Sequence, residues 1–471
     1  MSTRAVPGSR LSPSGPRLAP RPVESRLLAL VTVVAFLGFF LVGAARQLQQ
    51  EAPLRALFPD ILFAPAILGL SLFLLHFLLR WRGLRQEQLV LPLAGLLIAV
   101  GLTVIWRLRD ADAVWQQLLR GGLPGLLIAG VLIWRPALVE QLRRRWVPLV
   151  SAVGLLLLLA TAFLGRPDAS GARLALRLGP LPPIQTSELV KLALIIFLAW
   201  YIEQVGEEAE GRARVLGWFR LPAPRYFVPG ILFVSLATLA LVRMSDFGAI
   251  LIIGALFVAI LYAGFQPRVF LTVAAIGLLL SLLVGLVLAF VWEPPDVIRH
   301  RLIAFQDPWS EEPLLVNGEP SGITVAQGPG YQIQQSIYAV VSGGLTGAGL
   351  GQGTPYFVPL AHSDFIFAAI VEELGGLVAL ALLAFFAILW LRTLRLAIML
   401  PPGQLFERLL LVGIGVHLFT QVFVMVGGTL NLLPLTGITI PFLSQGGVAL
   451  AVNLVEIGLV LALAQRLEFR P

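Results

Sequence analysis

The side chains with the clearest chemical potential stand where apolar residues should be. In QTSELVK, residues 185–191, Glu188 and Lys191 are three positions apart, on one face of a helix and able to pair. Such a pair either neutralises itself near a helix end or holds a cation toward an anionic group. Both readings are open on these residues alone. Lys191 is the one lysine beside 33 arginines, and an ammonium is a compact charge suited to phosphate. In MSDFGA, Asp246 interrupts an apolar stretch and is expected to cap a helix N-terminus in preference to holding a metal. In HSDF, residues 362–365, Asp364 stands where a long loop enters an apolar segment. The helix dipole favours its ionised form there, as a cap or as a base at a cavity mouth. His362 and Ser363 precede it, and a lone histidine is not a metal site. His417, Gln421 and Glu456, with Glu372 and Glu373, read as polar bridges between helices. No Ser-His-Asp order, CxxC, HExxH or Walker loop occurs, so hydrolase, zinc and NTPase chemistry lack their residues.

The elements that must hold these groups follow from composition. The 471 residues are 58% hydrophobic and 13% charged, without cysteine, and the mean hydropathy is +0.88. An ordinary soluble domain is about a quarter charged. A soluble globular protein, a disordered chain and a disulfide framework are therefore excluded. Twelve runs approach the roughly 20 apolar residues that cross a bilayer as helix. They are Leu27–Ala45, Ile61–Leu79, Leu89–Trp106, Leu118–Trp134, Val147–Leu164, Gln185–Tyr201, Phe227–Val242, Phe247–Gly264, Val269–Val291, Asp364–Trp390, Leu409–Gly427 and Ile440–Gln465. No period-2 alternation marks barrel strands, so the spans are helical.

With the N-terminus cytoplasmic, 22 arginines fall on inside loops and 11 outside, the bias of the positive-inside rule. The pI near 10.6 is then a topology signal. Nucleic-acid binding loses its support, since no aromatic-basic interleaving accompanies it. Residues 1–26, rich in Pro, Ser and Arg, are expected to form a disordered cytoplasmic tail. Leu27–Ala45 reads as a retained helix rather than a signal peptide. Residues 292–363 make an outer loop of unusual length, with a helix expected around Gln332–Ser342 and a cavity opening outward.

Together these residues resemble the SEDS family (FtsW, RodA, SpoVE), bacterial peptidoglycan polymerases of shape, elongation, division and sporulation. The landmarks run in the family's order from about Leu89 to Arg466: GAR at 171–173, LGP and QTSELVKL within 178–192, SDFG at 245–248 and DPW at 307–309. GYQIQQS at 330–336, GGLTGAGLGQG at 343–353, HSDFIFA at 362–368, EELG at 372–375 and LPLTGITIPFLSQGG at 433–447 follow. The resemblance implies an all-α polytopic membrane protein with a ten-helix, GT-C-like core and both ends cytoplasmic. The twelve runs then read as that core, residues 89–466 with its outer loop 292–363, plus an additional N-terminal transmembrane hairpin over residues 27–79.

The implied activity is that of an inverting glycosyltransferase of the bacterial cytoplasmic membrane. It would polymerise lipid II on the outer face and release undecaprenyl diphosphate. The implied partners are a class B penicillin-binding protein and other membrane proteins of elongation or division. Matched residue by residue, the family's essential aspartate falls on Asp364, its Glu/Lys pair on Glu188 and Lys191, and its further acidic position on Asp246. Asp364 is then the base, while Lys191, held by Glu188, and Arg173 neutralise the diphosphate. His362 and Ser363 stand in support. The resemblance fixes no cofactor, and a divalent cation (Mg or Mn) could assist. The chain departs from the family pattern at Thr186, Ala175, Leu360, Gln445 and Val448, and in a longer stretch between Trp309 and Gly330. A lipid II flippase using the same groups and a non-catalytic scaffold are the alternatives. A transporter should carry polar residues on into the cytoplasmic half of its spans, whereas the clear ionisable positions cluster outward.

Overall fold

The computed structural model describes residues 18–49, 53–166, 173–177, 183–216, 219–277, 279, 296–316 and 319–468. Most of the expected tail, the first two residues of GAR, the LGP motif and residues 280–295 lie outside them. Helices α1 (Pro22–Leu48) and α2 (Leu54–Trp81) pack together and against α3 (Val90–Leu108). Next come α4 (Ala111–Trp134), α5 (Ala137–Leu164) and α6 (Thr186–Gly211). Helices α7 (Val228–Met244), α8 (Phe247–Gly264) and α9 (Pro267–Gly277) follow. The connection before the last spans carries α10 (Asp296–Gln306) and α11 (Pro329–Gly343). The bundle closes with α12 (Ile366–Met399), α13 (Leu405–Thr429) and α14 (Gly447–Glu468). Two antiparallel hairpins decorate the loops: β1 (Arg214–Leu216) with β2 (Phe219–Leu221), and β3 (Pro313–Val316) with β4 (Glu319–Thr324).

Among the described residues, ten helices are long and apolar enough to cross a membrane, and α7 and α9 are shorter apolar helices. Among the described residues each apolar run coincides with a helix over most of its length, several helices reach beyond their runs, and two begin later than expected. The run from Val269 continues beyond the described part of α9. Helix α12 begins at Ile366 rather than Asp364, and α14 begins at Gly447 rather than Ile440. Residues 431–446 are non-helical because Pro434 and Pro441 have no N–H to donate, and Asn431, Gly437 and Phe442 all adopt positive φ. Apolar composition alone does not register either cause.

The expected tail is also shorter than its composition suggests. Arg21 and Glu24 are buried and ion-paired, Glu24 meets His76 of α2 at 2.6 Å, and Arg21 donates to the Leu84 carbonyl at 2.7 Å. Glu87 accepts the Leu89 and Val90 amides at the start of α3 and pairs with Arg392 of α12 at 2.8 Å. This network ties the N-terminal hairpin to the core.

Helix α12 is broken at Gly375, whose φ is +86°. The break frees backbone groups inside the bundle, which must find partners. The glycine-rich segment after α11 supplies them. The amides of Ala348 and Gly349 donate to the carbonyls of Glu372 and Glu373, at 2.8 and 2.9 Å. The Glu372 carboxylate accepts from the Thr354 amide at 2.7 Å. That of Glu373 accepts from the Gly351 amide at 3.0 Å and pairs with Arg107 of α3 at 2.9 Å. Glu373 therefore bridges α12 to α3 as well as to the loop, whereas Glu372 ties α12 to the loop alone and not to another helix. Gly347, at φ +77°, lies so close that a Cβ would overlap the Glu373 carbonyl. Gly347→Ala is expected to cost about 3 kcal/mol. Gly322→Ala, at a similar φ of +76° but in open space, should cost only about 1 kcal/mol. Thermal unfolding of the two variants in detergent measures the difference.

Candidate functional site

Asp364 stands one residue ahead of Phe365, the cap position of α12, in a chain of turns running from Ala361. It is half-buried. The turn is clamped from across the bundle by residues 436–446. The Ser444 hydroxyl donates to the Ser363 carbonyl at 2.7 Å, and the Gln445 amide donates to the His362 carbonyl at 2.9 Å. Gly437, at φ +70°, faces the carboxylate: its Cβ would stand 3.5 Å from Asp364 Oδ2. Gln117 of α4 holds the clamp itself, donating to the Ser444 carbonyl at 3.1 Å and accepting from the Gly446 amide at 2.9 Å.

The second group of residues gathers around the start of α8. Lys191 Nζ meets Glu188 Oε2 at 2.8 Å on the first turns of α6, and both side chains are almost wholly buried, at 1% and 2% exposure. Asp246 caps α8 by accepting from the Ala249 amide at 3.0 Å, as expected. Asp246 lies within electrostatic range of Ser187, Lys191 and Glu188. The Arg173 amide donates to the Met244 carbonyl at 3.1 Å, which sets Arg173 beside the same turn. Gly248, the second residue of α8, packs against Thr436 and Ile438. Those residues flank Gly437, so the two groups share one loop.

Gly437, Ser444 and Gln117 were not singled out by type or spacing. The motif LPLTGITIPFLSQGG marked the region of the first two. Gln117 carried no signal beyond a polar residue heading an apolar run. His417 Nδ1 and Glu456 Oε1 meet at 2.7 Å, both fully buried between α13 and α14, which agrees with a bridging role. Two cavities lie away from Asp364. One is at the opposite end of the bundle, and the other is an apolar groove between α12 and α13.

Burial, and secondarily the nearby Arg109 cation, hold the His362 imidazole below the usual histidine range. His362 is therefore neutral at pH 7. A base whose folded pKa is depressed contributes stability that is full above its unfolded value, about 6.5, and is lost as pH falls through the folded value. His362→Gln should flatten the decline of Tm between pH 7 and 5, measured against wild type in the same detergent.

Residues 84–468 match the family model for the cell cycle proteins FtsW, RodA and SpoVE. The chain belongs to this SEDS family. The SEDS chain is 30% identical over 453 residues to the peptidoglycan glycosyltransferase RodA of Mycobacterium tuberculosis, covering 93% of this chain and 89% of that one. It is 32% identical over 395 residues to the stage V sporulation protein E of Bacillus subtilis, covering 80% and 96%. Its fold is similar to a solved chain of a peptidoglycan synthase complex that coordinates polymerization and crosslinking. The TM-score is 0.60 at 26% identity, over 80% of this chain and 97% of that chain.

Proposed function

We propose that this SEDS protein is a peptidoglycan glycan-strand polymerase, acting in cell elongation or division. The observation that carries the reading is the convergence of Asp364 and the Glu188–Lys191–Asp246 cluster on one loop, residues 436–446. The substrate is lipid II. Asp364 takes the proton from the 4-hydroxyl of the acceptor's GlcNAc as that oxygen bonds to the anomeric carbon of the donor's MurNAc. The bond from that carbon to the diphosphate breaks with inversion, and undecaprenyl diphosphate leaves with the electron pair. Diphosphate is a good leaving group, so one base and charge stabilisation suffice.

Burial divides the cationic work. Arg173, whose guanidinium is partly exposed and donates to the Phe163 carbonyl, is the cation that meets the diphosphate. Lys191 is sealed from solvent, so it acts on the site through Asp246 and the field it sets up. Among the described residues, no three His, Cys, Asp or Glu side chains converge to hold a metal ion by themselves.

The fold of a synthase complex supports a class B penicillin-binding protein as partner, crosslinking the strands as they emerge. The arginine bias supports cytoplasmic termini in the inner membrane, which turns Asp364 outward. The start of the family match at Leu84 supports reading α1 and α2 as the additional hairpin and residues 89–466 as the core. Incubating the purified chain and its transpeptidase partner with labelled lipid II should yield glycan strands. Failure of the wild-type pair to elongate any strand would overturn the reading.

A further inference from the structure

At the end of the bundle opposite Asp364, a cavity of about 560 Å³ opens where α2, α4, α13 and α14 end. The separation along α14, 22 residues from Gly447 to Glu468, is about 33 Å. The cavity therefore belongs to the other membrane surface and not to the polymerase site. Arg82, Trp134, Arg135, Gln404, Gln465 and Arg466 line it.

Its polar groups are of two kinds. Arg466 is shared with Glu407 and Glu140. Arg82 and Arg135 have no acidic partner among the described residues, and Arg82 Nε is buried with no hydrogen-bond partner. Unpaired guanidiniums call for an oxyanion, and their forked donors suit phosphate. The second kind is made of acceptors. Gln465 is 1% exposed, and its Nε2 is committed to the Ile133 carbonyl at 3.2 Å. Its Oε1 is left buried and unsatisfied, as is that of Gln404. Buried acceptors without donors are costly, and the oxygens of a phosphodiester carry no proton to give them. A phosphate ester carrying hydroxyl groups satisfies both kinds at once.

The rim of the cavity points to the source. Trp134 and Trp81 stand edge to face at 5.4 Å and remain 43% and 51% exposed. Indoles in that state mark the membrane–water interface and pack against lipid. We infer that this cavity binds the glycerophosphate headgroup of an anionic phospholipid. Its phosphate would be held by Arg82 and Arg135, its hydroxyls by Gln404 and Gln465, and its acyl chains would run past Trp134.

The test uses the delipidated full-length protein in detergent, with native mass spectrometry to count bound lipid. Dioleoylphosphatidylglycerol should bind at least tenfold more tightly than dioleoylphosphatidylcholine. The double variant Arg82→Gln/Arg135→Gln should lose at least tenfold in that affinity. Arg395→Gln, an exposed arginine of α12 outside the cavity, should not. Thermal unfolding without lipid checks that the double variant is folded as wild type. Soluble glycerol 3-phosphate should compete only weakly. Equal binding of the two lipids, or equal loss in the Arg395→Gln protein, would show general surface attraction and overturn the site. Full competition by glycerol 3-phosphate would assign the cavity to a soluble phosphate ester and overturn the lipid assignment.

Discussion

Asp364→Asn is expected to slow glycan-strand formation from lipid II by about 10²–10⁴-fold, the range for removing a positioned base. That corresponds to about 3–5 kcal/mol of barrier. Asparagine keeps the shape of the side chain but cannot take the acceptor's proton. The turn that presents it should persist, because its clamps are backbone contacts: the Ser444 hydroxyl to the Ser363 carbonyl and the Gln445 amide to the His362 carbonyl. The expected signature is therefore a large loss of rate with little change in Tm, read by gel separation of labelled strands beside a melting curve. A variant within threefold of wild type would remove Asp364 from the chemistry. Its effect also tests the scaffold alternative, since a scaffold needs no base at this position.

Lys191→Met should be the most destabilising substitution among the site residues, by about 3–5 kcal/mol. The pair with Glu188 is only 1% and 2% exposed, and Asp246 lies within electrostatic range. Removing the ammonium leaves two carboxylates in a buried setting without their cation. This is a large share of the roughly 5–15 kcal/mol that holds a typical domain together. Glu188→Gln should be milder, because Asp246 still faces Lys191. The double variant Glu188→Gln/Lys191→Met should recover most of the lost stability, since it removes both charges of the pair. Strand formation then reads the role of the charge. If the field of Lys191 serves the diphosphate, the double variant is stable yet slow, by at least tenfold in kcat. Recovery of both stability and rate would reduce the pair to a structural one.

How much of this was legible before folding depends on the range of the interaction. Glu188 and Lys191 are three residues apart in one helix, and their pairing follows from helical geometry. Asp246 ahead of an apolar run reads as a cap, and it caps. The start of α12 at Ile366 and of α14 at Gly447 was not legible, because apolar composition continues through residues whose backbone cannot be helical. The burial of Arg21 and Glu24 was hidden for the opposite reason. A Pro- and Arg-rich stretch looks solvated until His76 and the Leu84 and Glu87 carbonyls are brought beside it.

Local chemistry written in the chain was enough to establish helical spans, a membrane setting, the ionisable residues worth attention and the family they resemble. Proximity required the assembled bundle. That Gly437 faces Asp364 and that Gly248 seats the Asp246 turn on the same loop are contacts between segments far apart in sequence. So is the hold of Gln117 of α4 on Ser444 and Gly446. Hydropathy reports which residues leave water, not which backbones meet once they have left it. The close approaches are made by glycines and carbonyls, which carry no periodic signal. The same reason governs the cavity at the far end, where residues from four helix ends meet only after packing.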